Sequence, residues 1–207
     1  MSSLIIHATP LSTYGRTCTL ALIEKGVPYE LDPSKPQSLE QLERQPWGLV
    51  PAMTHGDTRL YETLAITSYI DTYFDGPPLQ PEDPLQHALM IQWISVFIQY
   101  LYRPGIDIVL QRLVIPAFGG SANEELIVES IPKTEKALAQ LDCAFSKQQY
   151  FVADAPTLVD YFVFPLLSVL EMTTEGKTLL DATQNLGPWS ALMAKRESAK
   201  ITVPPAL

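Results

Sequence analysis

Cysteine is scarce in this chain: Cys18 and Cys143 are the only two in 207 residues, and they lie far apart. A disulfide-stapled secreted scaffold is therefore excluded, and the thiols fit a reducing compartment. Basic residues are few as well, 14 against 23 acidic, for a net charge of −9. Nothing here supplies the broad basic surface that nucleic acid or an anionic membrane demands, so neither is expected as a partner. Long apolar runs are missing too. The best stretch, Met90 to Leu101, is interrupted by Gln92 and Gln99 and falls short of the roughly 20 residues that cross a bilayer. The chain opens Met-Ser-Ser-Leu-Ile-Ile with no signal-peptide pattern, and a cytoplasmic location is expected. His7, His55 and His87 form no i, i+4 pair and have no cysteine at zinc spacing, so no metal is expected. A glycine-rich phosphate loop, a G-x-S-x-G elbow and a solenoid-length repeat are also absent.

What is present is enough apolar residue, 46% of the chain, to bury a full core. The 18 prolines fall singly or in pairs between periodic segments, so they punctuate ordered structure. Residues Ser3 to His7 read as a short buried strand. Tyr14 to Lys25 follow as a helix stopped by Gly26 and Val27-Pro28. Tyr29 to Leu31 suit a second strand, and Ser38 to Gln45 a short polar helix broken at Pro46-Trp47-Gly48. Leu49 to Met53 and Thr58 to Tyr61 flank the turn-like His55-Gly56-Asp57, which predicts a hairpin. Ile66, Tyr69, Ile70, Tyr73 and Phe74 then keep helical spacing.

The resulting order is β-α-β-(α)-β-β-α over residues 1–75. Proline and glycine crowd the next decade, which marks a linker at 76–84. Beyond it no strand pattern recurs, and 85–207 read as an all-helical domain. Its expected helices are Leu85 to Leu101, Ile106 to Val114 beyond a Pro104-Gly105 break, Asn123 to Ser146 with a possible kink at Pro132, Leu158 to Glu171, and pieces near Thr178 and Pro188. The fold class is thus α/β followed by all-α.

Three places in the first domain invite chemistry. Pro51 stands within a strand pattern, where it fits either an edge strand with a trans bond or a cis bond whose preceding residue pairs with an extended peptide. Ser12 precedes the first helix, as a plain cap or as a hydroxyl held at a helix N-terminus. Glu62-Thr63 precede the third, either as a capped start with a solvated glutamate or as an anchor for a charged ligand.

Taken as a set, Ser12-Thr13-Tyr14-Gly15-Arg16 through Gly26, Gln45-Pro46-Trp47-Gly48-Leu49-Val50-Pro51-Ala52-Met53, and Gly56 through Glu62-Thr63 to Ile70 resemble the glutathione S-transferase family. Tyr150 to Asp160 is similar to that family's capping segment, with Thr157 and Asp160 at capping-box spacing. The resemblance implies a thioredoxin-like domain with a cis Val50-Pro51 bond, packed on a helical bundle, usually as a homodimer. It implies glutathione as co-substrate and a small electrophile as second substrate, with detoxification as the biological setting. Ser12 then aligns with the catalytic position, and Glu62 and Thr63 with the reader of the γ-glutamyl end. Val50 and Pro51 would then form the edge along which the extended γ-linked peptide lies, its sulfur facing Ser12. The glycine end is less regular: Leu49 and Gln37 stand where many relatives carry other groups, leaving Lys35 and Gln37 as the nearby polar side chains. The resemblance lets Tyr14, Tyr100, Tyr102 and Arg103 line the second-substrate pocket, with plain core as the other reading of the last three; Trp93 and Phe97 are read as core, and so is Cys18.

A cysteine-type thiol titrates near 8.5, so a thiolate at neutral pH needs that value lowered by about 2, worth roughly 2.7 kcal/mol. A hydroxyl hydrogen bond to the charged sulfur contributes about 1.5–3 kcal/mol and a helix N-terminus about 0.3–2 kcal/mol. Ser12 offers both. Two alternatives stand beside conjugation: glutathione-dependent disulfide or peroxide reduction, and a non-catalytic binding or interaction module that keeps the fold.

Overall fold

The computed structural model describes residues 3–145 and 149–205. Contacts divide the chain into two compact units: residues up to Leu79 with the segment from Arg196 onward, and Gln80–Lys195. The first break falls inside the expected linker. The second departs from the expectation of a helical 85–207, and polar ties supply the reason. Arg196 donates to Glu24 Oε1 at 2.8 Å and Oε2 at 2.5 Å, and the Ser198 hydroxyl donates to the same carboxylate. Arg16 donates to the Ala199 carbonyl at 3.0 Å and to Thr202 Oγ1 at 3.2 Å.

In the first unit β1 (Leu4–His7) leads to α1 (Thr13–Lys25), β2 (Glu30–Asp32), α2 (Leu39–Arg44), β3 (Ala52–His55), β4 (Thr58–Tyr61) and α3 (Thr63–Tyr73). The strands form one sheet in the order β2-β1-β3-β4. β1 runs parallel to β2 and antiparallel to β3, and β3 runs antiparallel to β4. Leu4, Ile6, Met53, Leu20, Ile66 and Ile70 are buried, and α1 packs against α3. Each buried aliphatic side chain of this kind contributes about 1.5–3 kcal/mol.

Two strand readings need correction. β2 begins one residue later than expected, because its parallel register sets Glu30 opposite Ile5. β3 starts at Ala52, so Pro51 precedes the strand and takes no donor from its ladder. The Val50-Pro51 bond is cis. His55 belongs to β3 and pairs with Thr58, which leaves Gly56-Asp57 as the turn, with Gly56 at φ 58°.

The second unit holds α4 (Pro84–Val96), a π-helical turn Phe97–Tyr102, α5 (Arg103–Val109), another at Leu110–Val114, α6 (Ile115–Ala117), α7 (Glu124–Ala144), α8 (Leu158–Leu170), α9 (Thr174–Asp181) and α10 (Leu186–Ala194). The expected break at Pro104-Gly105 does not occur. The wide turn at 97–102 comes just before Pro104, and the backbone stays helical through Tyr102 and Arg103 into α5. Gly105 lets α5 approach α8, since a Cβ there would stand 3.1 Å from Leu166. Likewise α7 continues through Pro132; its expected last residue, Ser146, lies outside the described residues. The short helix α11 (Glu197–Ile201), which periodicity does not predict, belongs to the first unit. Among the described residues no helix is long and apolar enough to cross a membrane.

Candidate active site at one end of the sheet

Register brings the chemistry-bearing segments together. Asp32, His7, Ala52 and Tyr61 stand opposite one another in a single row across the four strands. Every segment singled out in the first unit leaves from that row: Lys35 and Gln37 after Asp32, Ser12 after His7, Val50-Pro51 before Ala52, and Glu62-Thr63 after Tyr61. Neighbouring strands lie about 4.8 Å apart, so the row spans about 14 Å. An extended tripeptide covers about 10 Å. The row is therefore long enough to hold such a ligand.

Ser12 is the N-cap of α1, with extended backbone angles, and its Oγ accepts the Gly15 N–H at 3.0 Å. The cap engages an oxygen lone pair. A hydroxyl also has one proton to donate, and among the described residues that proton has no acceptor. The two roles open to Ser12 are thus compatible: the cap orients the oxygen, and the O–H stays available at a positive helix end.

The segment before β3 is held by glutamines. Gln45 Oε1 accepts the Leu49 N–H at 3.0 Å, and Gln41 Nε2 donates to the Leu49 carbonyl at 2.6 Å. Both glutamines are buried. Sequence reasoning missed them, although two glutamines four apart on a short polar helix were the available signal. With Leu49 tied at both backbone groups, Val50 makes no hydrogen bond among the described residues. Its backbone donor and acceptor stand ready to pair with an extended peptide.

Glu62 caps α3 in an unusual way. Its φ is 67° and its side chain makes no bond to the helix. A non-glycine residue in that region costs on the order of 1–3 kcal/mol and points to a functional site. The exposed carboxylate is left for a cation, while the first N–H groups of α3 remain for an anion. Thr63 is nearly buried, and its hydroxyl makes no hydrogen bond among the described residues.

At the other end of the row Lys35 is exposed and has no ion pair among the described residues. Gln37 is committed differently: its Nε2 donates to the Trp47 carbonyl at 2.8 Å and its N–H to the Gly48 carbonyl at 2.8 Å. Leu49 projects an exposed side chain. Tyr14 lies half-buried on α1. The other residues expected near the second substrate occupy the second unit, where Tyr100 is 62% exposed, Tyr102 packs edge-on against Phe97, and Arg103 donates to Asp107 at 2.9 Å. Phe97 is fully buried, as expected of core. Trp93 is only half-buried against Phe151, so the core reading fails for it. Cys18 is fully buried, and desolvation pushes its thiol far above the usual range, which leaves it inert. No cluster of metal-ligating side chains occurs among the described residues.

A β2-β1-β3-β4 sheet with a cis-proline ahead of β3, followed by a helical unit, defines the thioredoxin-like class that carries a C-terminal helical domain. The comparisons narrow it. The family model for the N-terminal domain of glutathione S-transferase matches residues 6–78, and that for the C-terminal domain matches 101–197. Glutathione S-transferase APIC of Nicotiana tabacum is 30% identical over 193 residues, covering 90% of each chain. Among solved structures, glutathione transferase F7 from Populus trichocarpa matches with a TM-score of 0.87 at 26% identity, over 96% of this chain and 97% of its own. Glutathione S-transferase I from mais, solved in complex with an atrazine glutathione conjugate, matches with a TM-score of 0.85 at 26% identity, over 97% and 96%. The chain belongs to the glutathione S-transferase family.

Proposed function

We propose that this enzyme binds glutathione along the Asp32–Tyr61 row and that Ser12 holds its sulfur as a thiolate for attack on a small electrophile. The observation that carries the reading is the row itself, since one sheet end gathers a free hydroxyl, an open backbone edge and a helix N-terminus with an unspent carboxylate. Glu62 meets the γ-glutamyl ammonium, and Thr63 with the first amides of α3 meets the carboxylate. Val50 pairs with the cysteinyl backbone and Pro51 shapes that edge. Lys35, with Leu49 and Gln37 around it, faces the glycine end.

The Ser12 O–H and the α1 terminus stabilise the charged sulfur and lower its pKa, so ionisation precedes attack. The thiolate sulfur forms a bond to the electrophilic carbon, the leaving group departs with its electron pair, and a thioether results. A serine oxygen cannot form a mixed disulfide with glutathione, which favours conjugation over thiol–disulfide exchange. Tyr14 is assigned to the electrophile.

Ser12→Ala should lower turnover with a chromogenic aryl halide about 100-fold while glutathione affinity changes little. The thiolate absorbance of bound glutathione should then titrate near the free-thiol value. Undiminished turnover would remove Ser12 from this role. A homodimer is also proposed: Trp47 is 61% exposed, with its ring against Tyr61, and Leu42 and Leu49 of the same stretch of chain are exposed as well. A second copy would cover that patch, and sedimentation of Trp47→Glu should then give a monomer. Two free cysteines fit a reducing compartment such as the cytoplasm.

A further inference from the structure

His7 lies at the centre of the row, yet nothing in the proposed chemistry uses it. It is 5% exposed. Burying an imidazole costs free energy unless both nitrogens find partners, and here both do. Nδ1 stands 2.7 Å from Asp32 Oδ2, and Nε2 stands 2.9 Å from Thr54 Oγ1. An ionised carboxylate only accepts, so Nδ1 carries a proton and donates it.

The partners continue outward. The Ser34 hydroxyl donates to Asp32 Oδ2 at 3.1 Å, and Arg44 Nη1 donates to Ser34 Oγ at 2.8 Å and lies 3.2 Å from Asp32 Oδ2. Asp32 ends β2 and Arg44 ends α2, so these bonds close the intervening segment into a ring at its neck. Near its tip the same segment is pinned by Gln37 to the Trp47 and Gly48 carbonyls. Lys35 rides on the part between the two ties, next to Gln37, which makes the second. The bond from His7, then those from Ser34 and Arg44, keep the Asp32 carboxyl below its ordinary range and thus charged at neutral pH.

We infer that His7 is a positioning residue for the glycine end of glutathione: through Asp32, Ser34 and Arg44 it fixes the loop that presents Lys35. The inference rests on the glutathione site proposed above. It differs from a purely structural role in one respect. A general loosening of the domain weakens every ligand, whereas loss of this loop's placement weakens only ligands that possess the glycine residue.

Calorimetric titration of the full chain with glutathione and with γ-glutamylcysteine separates the two. In His7→Phe and Arg44→Met the glutathione Kd should rise about tenfold, a loss of about 1.4 kcal/mol, while the γ-glutamylcysteine Kd stays within about twofold. In Arg44→Met, which lies on α2 outside the row, turnover at saturating glutathione should also hold. His7→Gln, whose amide can both donate and accept, should restore most of the preference. Arg44 is partly exposed, so its variant tests the ring even where the buried substitution harms folding. Equal weakening of both ligands, or an unchanged preference for glutathione, overturns the inference. A native chain that binds glutathione without preferring it also does so. Failure of the native chain to bind either ligand overturns the glutathione site itself, and this inference with it.

Discussion

Two helix starts in this molecule use the same chemistry to opposite ends. At α1, Ser12 accepts one N–H and keeps its proton, at a half-buried position open to a ligand. At α8, Asp160 reaches back to the Thr157 N–H at 2.8 Å and also accepts from Trp189 Nε1 at 2.9 Å and the Phe151 N–H at 3.3 Å. Asp160 is fully buried, and the Thr157 hydroxyl is spent on the same carboxylate. One cap is left unfinished and the other is saturated. A capping group whose capacity is fully used locks structure, and one with capacity to spare can act on something else.

The contrast is broken most severely at the saturated end. Asp160→Ala strands three buried N–H donors, each worth about 1–3 kcal/mol, so the fold should lose about 4 kcal/mol. Urea denaturation of the purified variant measures this, and a loss below about 1 kcal/mol would show that Asp160 locks nothing.

The next effect is a pH dependence. Burial, outweighing the hydrogen bonds that pull the other way, pushes the Asp160 carboxyl up to about 6. In the unfolded chain it titrates near 4. A raised folded value means that its contribution is complete below about pH 4 and is lost as pH rises through 6, an amount of about 3 kcal/mol. The stability of the native chain relative to Asp160→Asn should therefore fall by about that much between pH 4 and pH 7. A flat difference across that window counts against the protonated carboxyl.

Both caps were legible in sequence because capping is local: Ser12 ahead of a helical period, and Thr157 with Asp160 three positions on. Pro51 and Glu62-Thr63 were legible for the same reason, as punctuation at element boundaries. The groups that support the site were not. His7 meets Asp32 and Thr54, and Gln41 and Gln45 meet Leu49, through side-chain directions fixed only once strands have paired and α2 has docked. The segment after Arg196 joins the first unit through Glu24 and Arg16, partners more than 170 positions away. Periodicity carries no trace of such a pairing. Nor does it show the π-helical turn at 97–102, which removes the break that Pro104-Gly105 otherwise predicts.

The remaining test sharpens the comparison at the unfinished cap, where two functions share one oxygen. Asparagine caps a helix as well as serine does, whereas alanine cannot, and that difference costs about 1 kcal/mol. Neither carries a hydroxyl, and the one donor group of the asparagine side chain is an amide NH2 displaced from the capping oxygen. Ser12→Asn should therefore retain native stability and lose turnover, and Ser12→Ala should lose both. Ser12→Thr, which keeps cap and proton alike, should retain most of each. If turnover tracks melting temperature across the three, the hydroxyl acts only by holding α1 in place. If Asn separates them, the proton that the cap leaves free is the catalytic contribution of this residue.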